Sequence, residues 1–250
     1  MKITVVGIGY VGLSLATLIS HKYQVELLDV DKEKIDLVNK RKIPINDLEI
    51  EKCFKGKNLF LSASLASKKI YKNSDFIIIA TPTNYDEQTG FFETETVENV
   101  ISDIVSSNTN GTIVIKSTIP VGFTDKIKKK YPKLKIFFCP EFLREKTAVE
   151  DFLHNNNVLV IGTTDNIMRD QVVKSHGVLP THTVTMTPTE AELTKYFSNT
   201  YKAMRVTFAN AFYNLCQSMG SDYDKVKDAF LFHGVGDGHY LRVNKQFGGF

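Results

Sequence analysis

The sequence predicts an α/β fold, a doubly wound and mostly parallel sheet followed by a long helix and a short helical segment. Three observations predict it. Apolar, β-branched runs of strand length alternate with helical patterns through the first 174 residues, the grammar of βαβ units. The chain opens on such a run, Lys2 to Val6, which leads directly into Gly7-Ile8-Gly9-Tyr10-Val11-Gly12. From Thr187 the alternation gives way to a single unbroken helical repeat.

The opening unit carries the most information. An apolar helix (Leu13, Leu15, Ala16, Leu18, Ile19) follows the glycines, and a second run, Val25 to Leu28, closes on Asp29. This is the G-x-G-x-x-G turn in its full setting, strand before and helix after, with an acidic residue about 20 positions on. Gly7 permits the tight turn, Gly9 lets backbone amides approach a pyrophosphate, and Gly12 lets the helix pack on the strand. The helix N-terminus adds its partial positive charge. Asp29 would accept hydrogen bonds from the adenosine ribose and repel a 2′-phosphate, so the expected cofactor is NAD rather than NADP. A glycine turn alone also occurs in other α/β proteins; the complete context is what carries the dinucleotide reading. It makes the first unit Rossmann-type.

The remaining elements follow in order. Asp31 to Arg41 is a charged helix with Ile35 and Val38 inward; Lys34 there is a surface lysine by default, within reach of the adenosine end of a cofactor. Residues 43–57 read as a loop and a short helix, Leu59 to Ala63 as a strand, and Leu65 to Tyr71 as a weak helix. Asp75 to Ala80 is a continuous apolar strand, as expected where both faces are covered, and it ends in Thr81-Pro82-Thr83. Asn84 to Phe92 reads as a polar loop, and Glu93 to Ser107 as a helix with Val97, Val100, Ile101 and Ile104 inward. The strand Thr112 to Lys116 ends in Ser117-Thr118, a helix runs to Lys130, and the strand Lys135 to Phe138 ends in Cys139-Pro140-Glu141-Phe142-Leu143-Arg144-Glu145. Val158 to Ile161 is a further strand and Asp165 to Lys174 a helix. Ligands of open α/β sheets lie beyond the strands' carboxyl ends. Thr81 and Thr83, Thr118, and Glu141 with Glu145 are therefore the candidate site.

Thr187-Pro188-Thr189-Glu190 is a capping box with proline at the first helical position. Leu193, Phe197, Tyr201, Met204, Phe208, Phe212, Leu215 and Met219 repeat at spacings of three and four, and Gly220 ends the run. The helix is expected to hold about 32 residues and span roughly 48 Å. Its aromatic stripe needs a cover, a second domain or a second subunit. Cys216 is expected on the stripe side. Lys195 and Asn199 share one face; on spacing alone they read as a solvated lysine beside an asparagine. Ser221 to Phe232 is a second helix, and a glycine-rich tail follows. The expected domains are residues 1–186, a Rossmann-like unit, and residues 187–250, the long helix, the second helix and the glycine-rich stretch, which the resemblance described below makes the start of a central, dimerising domain.

Composition narrows the function. Hydrophobic content of 42% and charged content of 24% fit a globular core, and 31 basic against 28 acidic residues leave +3, too little to argue for nucleic acid. The run Lys126 to Lys130 reads as a solvated helix face. No run reaches the roughly 18 apolar residues of a membrane span, and no signal-peptide core is present. Cys53, Cys139 and Cys216 lack metal or disulfide spacing. A cytoplasmic protein without membrane, metal or nucleic-acid partners is expected.

Five motifs, Gly7-Ile-Gly-Tyr-Val-Gly-Leu-Ser14, Ala80-Thr-Pro-Thr83, Lys116-Ser-Thr-Ile-Pro-Val-Gly122, Pro140-Glu-Phe-Leu-Arg-Glu145 and Lys195-Tyr-Phe-Ser-Asn199, occur in this order. Together they resemble the UDP-glucose/GDP-mannose dehydrogenase family over the whole chain, and the segment Thr83 to Thr94 looks most like its UDP-glucose members. The resemblance implies oxidation of a UDP-sugar's C6 alcohol to a carboxylate in two hydride transfers to NAD, through a thioester on a cysteine. By position it implies that Gly7, Gly9, Tyr10, Val11, Gly12, Asp29, Lys34, Thr81, Pro82, Thr83, Thr118 and Glu145 contact NAD. The sugar nucleotide would meet Glu141, Phe142, Leu143, Arg144 and Glu145, Lys195 and Asn199, and Tyr240, Leu241, Arg242 and Asn244. Thr118 and Glu145 would hold the hydrolytic water, Glu145 as candidate base, and Lys195 with Asn199 would stabilise the oxyanion at C6. The long helix implies a homodimer.

Departures matter as much. The family's nucleophile lies in a segment like Gly-Phe-Gly-Gly-x-Cys, and the chain stops at Gly249-Phe250, so the nucleophile and the UDP-binding domain are expected to be absent and turnover with them. Cys139, where relatives often carry asparagine or serine, reads as a packing residue. A sibling acting on GDP-mannose or a UDP-N-acetylhexosamine, or a non-catalytic NAD-binding module, stays open. A plain β-hydroxyacid dehydrogenase does not explain residues 140–145.

Overall fold

The computed structural model describes residues 1–46, 48–55, 59–86, 88, 90–143, 151, 158–176, 182–232, 234, 239–241 and 243. The chain divides into two compact units, Met1–Lys195 and Tyr196–Phe250.

The first unit is built on a six-stranded parallel sheet: β1 (Lys2–Val6), β2 (Gln24–Leu28), β3 (Leu61–Ser64), β4 (Phe76–Ile79), β7 (Thr112–Ile115) and β8 (Lys135–Phe138). They lie in the order β3-β2-β1-β4-β7-β8, the doubly wound order of a dinucleotide-binding sheet with one insertion. That insertion is a small antiparallel hairpin, β5 (Tyr85–Asp86) with β6 (Phe91–Phe92). The expected polar loop at 84–92 is therefore corrected. Tyr85 and Phe92 pack edge to face across the hairpin at 5.3 Å, a cross-strand aromatic pair in a segment whose polar residues masked the pairing. Val158–Gly162 forms β9, which pairs in parallel with β10 (His182–Met186). The sequence reading had no strand at 182–186.

Both faces of the large sheet are covered. Along β4, Phe76 and Ile78 enter one apolar cluster while Ile77 and Ile79 enter the other, and β1 and β7 alternate likewise. A strand buried on both sides cannot show polar alternation, which is why these strands read as continuous apolar runs. The helices are α1 (Tyr10–Ser20), α2 (Lys32–Asn39), α3 (Leu48–Lys55), α4 (Lys68–Lys72), α5 (Glu95–Ser106), α6 (Phe123–Lys130) and α7 (Asn166–Ser175). Asp31 and Asp165 cap α2 and α7 by accepting from two backbone amides each. Ile35 and Val38, and Val97, Ile101 and Ile104, are buried as their spacing requires.

The long helix α8 (Pro188–Ser218) holds 31 residues and runs from the first unit into the second. Its capping box is formed: the Thr187 amide and hydroxyl donate to Glu190 at 2.8 and 2.7 Å. Gly220 follows at φ 61°, the left-handed stop that glycine adopts without a Cβ penalty. Among the described residues the second unit adds α9 (Tyr223–Leu231) and a tight turn, His239–Leu241. Its core gathers Ala209, Cys216, Tyr223 and Leu241. Cys216 is thus an interior residue and not on the stripe side as expected; Phe208, Leu215 and Met219, by contrast, are exposed.

Candidate active site

The site begins at the glycine turn after β1. Gly7 sits at φ 107° and a Cβ there would stand 2.4 Å from the Ala80 carbonyl oxygen; at Gly12 it would stand 2.0 Å from the Gly7 oxygen. Both positions are closed to any side chain. At Gly9 a Cβ would meet nothing within 4 Å, so this glycine leaves open space beside the start of α1. That helix begins without a side-chain cap and without an acidic residue in its first turn. Its first amides are consequently unneutralised, and with the open space at Gly9 they fit a dinucleotide's pyrophosphate.

Asp29 closes β2 at the same end. Its Oδ2 accepts the Ile8 amide at 2.6 Å and its Oδ1 accepts the Asp31 amide at 3.0 Å. The carboxylate thus holds the glycine turn in shape, a task the sequence reading did not assign, and each oxygen keeps lone-pair capacity for a ribose hydroxyl. Tyr10, Val11 and Lys34 are half-buried nearby in sequence.

The carboxyl ends of β4, β7 and β8 continue the site. Thr83 is buried and Pro82 exposed; the Thr81 carbonyl accepts the Ser117 hydroxyl at 2.7 Å, tying the β4 and β7 loops together. Thr118 is half-buried on the next residue. After β8, Glu141 is 4% exposed and its carboxylate turns inward to the Lys116 ammonium. Its main-chain carbonyl accepts the Lys195 ammonium at 2.6 Å. Lys195 also lies 5.8 Å from the centre of the Phe142 ring. Leu143 is half-buried. Lys195 is therefore no solvated surface lysine. Arg144, Glu145, Arg242 and Asn244 lie outside the described residues.

Behind these loops sits a buried polar cluster. The Lys116 ammonium donates to the Glu141 carboxylate and to the Cys139 sulfur, the latter at 3.2 Å. Burial disfavours its charge, but the Cys139 sulfur and the Glu141 carboxylate outweigh that and hold the lysine above its ordinary value. Burial pushes the Cys139 thiol up, only partly offset by Lys116. A thiol kept protonated is a poor nucleophile, in keeping with Cys139 as a packing residue. His176, buried at the end of α7, donates from Nδ1 to the Val172 carbonyl at 2.8 Å. Burial and then the Lys116 charge push it down to about 3, against the Val172 hydrogen bond.

Sequence reasoning quoted Lys116 only as part of a motif and missed Glu192. Glu192 is fully buried on α8, where its carboxylate accepts the Gly122 and Thr124 amides at 2.5 and 2.9 Å. A lysine ending an apolar strand and a glutamate on the inward face of a helix were the available signals.

In the second unit Asn199 is 3% exposed. The Arg205 guanidinium stacks 5.4 Å from the Tyr240 ring, and the Leu241 carbonyl accepts the Tyr223 hydroxyl at 2.7 Å. Among the described residues no group of three metal-ligating side chains occurs, and no helix is long and apolar enough to cross a membrane.

The chain matches the profile of the UDP-glucose/GDP-mannose dehydrogenase family NAD binding domain over residues 1–176, and that of the family's central domain over residues 189–250. It is 45% identical over 217 residues to a UDP-glucose 6-dehydrogenase of Campylobacter jejuni, covering 84% of this chain and 54% of that protein. It is 37% identical over 262 residues to a UDP-glucose 6-dehydrogenase of Streptococcus pneumoniae, covering 100% of this chain and 66% of that one. A crystal structure of a GDP-mannose dehydrogenase from Pseudomonas aeruginosa aligns with TM-score 0.83 at 28% identity, covering 97% of this chain and 59% of that chain. A UDP-glucose dehydrogenase from Pyrobaculum islandicum aligns with TM-score 0.84 at 25% identity, covering 96% and 58%. The chain thus spans between about half and two thirds of the length of these relatives. Matched over residues 1–176 by the family's NAD binding domain and over residues 189–250 by its central domain, the chain belongs to the UDP-glucose/GDP-mannose dehydrogenase family, whose cofactor is NAD.

Proposed function

We propose that this chain supplies the NAD-binding domain, residues 1–186, and the start of the central domain, residues 187–250, of a cytoplasmic dehydrogenase that oxidises UDP-glucose at C6 to the glucuronate. The observation that carries the reading is the meeting of Lys195 with Glu141 beside the polar ends of β4, β7 and β8: a half-buried ammonium held at the carboxyl edge of a dinucleotide-binding sheet. The choice of UDP-glucose rests on the C. jejuni and S. pneumoniae relatives and on the 83–94 segment. The P. aeruginosa structure favours a second reading, GDP-mannose as substrate.

The residues then divide the work. Gly7, Gly9, Gly12 and the start of α1 receive the pyrophosphate, Asp29 the adenosine ribose, and Tyr10, Val11, Lys34, Thr81, Pro82 and Thr83 border the cofactor. NAD⁺, when bound, supplies the hydride acceptor. Lys195, with Asn199, stabilises the negative charge that develops on the C6 oxygen, the role for which a fixed ammonium is suited. Thr118 and Glu145 hold the water that hydrolyses the thioester, Glu145 as its base. Glu141, Phe142, Leu143 and Arg144, with Tyr240, Leu241, Arg242 and Asn244, meet the sugar nucleotide.

Calorimetric titration with NAD⁺ and NADP⁺ tests the cofactor half. NAD⁺ binds, NADP⁺ binds at least about tenfold more weakly, and Asp29→Ala loses about tenfold or more for NAD⁺, the equivalent of one good hydrogen bond. Equal binding of the two cofactors overturns the role of Asp29.

A further inference from the structure

We propose that Lys116 is a positioning residue for Lys195, acting through Glu141. The inference rests on the reading of Lys195 as the group that stabilises charge at C6.

Glu141 is gripped at both ends. Its side chain pairs with Lys116, whose own side chain is 0% exposed, and its carbonyl receives Lys195. A carbonyl's direction follows from the backbone angles of its residue, and anchoring the side chain of Glu141 restricts those angles. The seat under Lys195 therefore depends on an ion pair that Lys195 does not touch.

The pair is a costly way to fill that space if stability were its use. Taking an ammonium and a carboxylate out of water consumes most of what their attraction returns, and an apolar pair of equal volume would serve packing as well. Geometry is what the ion pair adds, because its hydrogen bonds fix direction where apolar contacts do not. The surroundings agree. The Cys139 sulfur accepts a second Lys116 hydrogen bond at 3.2 Å. The buried His176 imidazole stays neutral and adds no second cation beside Lys116.

The test is made on the 250-residue chain with ¹⁵N-labelled lysine, observing ammonium groups directly, with the Lys195 signal identified by its loss in Lys195→Arg. In the wild type Lys195 gives a slowly exchanging ammonium signal. In Lys116→Met/Glu141→Met, which leaves no unpaired charge, NAD⁺ titration certifies the fold while proton exchange at Lys195 accelerates about tenfold, as for loss of a charged hydrogen bond. If that variant does not bind NAD⁺, the near-isosteric Glu141→Gln is read in its place, with a smaller acceleration expected. No Lys195 signal in the wild type, or exchange unchanged in the folded variant, overturns the proposal. A structural filler would alter melting temperature and leave the Lys195 signal alone. The reading of Lys195 itself fails separately: a Lys195→Met form of the catalytically competent enzyme would oxidise the sugar nucleotide as fast as the wild type, whatever the ammonium spectrum shows.

Discussion

At Gly9 and Gly12 the same substitution has opposite consequences. Gly9 has φ −111° and ψ −171°, extended backbone open to any residue, with nothing within 4 Å of a new Cβ. Gly9→Ala should melt within about 2 °C of the wild type, yet lose at least about tenfold in NAD⁺ affinity because the methyl occupies the pyrophosphate's approach. Gly12→Ala forces a Cβ against the Gly7 carbonyl, and it should cost about 3 kcal/mol, on the order of 10 °C. Thermal melts beside calorimetry separate the two; equal effects on stability would overturn the assignment. His176 gives a pH dependence. Its value in the fold is about 3 against 6.5 ordinarily. The unfolded chain therefore takes up a proton that the fold excludes: the stabilisation is fully present above the unfolded value and is lost as pH falls below it. Between about pH 7 and pH 5 this removes about 2 kcal/mol, and denaturant midpoints of His176→Asn should fall less over that interval. The glycine roles were legible because each is a local backbone demand written in one motif. His176 and the Lys116–Glu141 pair were not, since Lys116 and Glu141 are 25 positions apart and nothing local marks either as buried.

Among the described helix starts, several are capped by a side chain of their own segment, others have no side-chain cap, and α6 is capped from far away. Asp31, Asp165, Asp222 and the Thr187–Glu190 box each satisfy amides two or three residues on, and such caps can be read from sequence. Helix α6 starts at Gly122 with φ 87° and has no side chain of its own to offer. Glu192 supplies the cap from α8, taking the Gly122 and Thr124 amides from 70 and 68 positions away. The same contact pins the loop carrying Thr118 to the turn of α8 that precedes Lys195. Glu192→Ala leaves the buried Thr124 amide and the half-buried Gly122 amide without their acceptor, and it should cost about 2–3 kcal/mol in denaturant unfolding. A loss under about 0.5 kcal/mol would mean that water replaces the carboxylate. Strand prediction succeeded where runs were long and apolar and failed at β5, β6 and β10. Two-residue strands carry no periodicity, and β10, His-Thr-Val-Thr-Met, is exposed over four of its five residues and looks like a polar connection.

For the whole molecule the unresolved demand is the aromatic stripe of α8. Phe197, Tyr201, Met204, Phe208, Leu215 and Met219 are 78%, 56%, 64%, 58%, 52% and 73% exposed, and Phe208 and Phe212 stack at 5.6 Å. Single exposed apolar residues are ordinary, but a contiguous row along one helix marks a surface that is covered in use. Burying each large side chain fully returns about 1.5–3 kcal/mol, so the twelve of a two-fold pair, already partly covered in the single chain, return on the order of 15 kcal/mol. Association costs about 4–15 kcal/mol, and the surplus suits micromolar self-association rather than a tighter complex. In a two-fold interface every substitution counts twice, so Phe197→Glu with Phe208→Glu should raise the dissociation constant by at least about a hundredfold. Sedimentation equilibrium is the measurement. The wild-type chain of 28.2 kDa should show twice that mass at micromolar concentration and the double variant its own, with NAD⁺ affinity unchanged, because the glycine turn and Asp29 lie on other elements. A wild-type chain that sediments as a clean monomer at that concentration would leave the stripe to a partner other than a second copy.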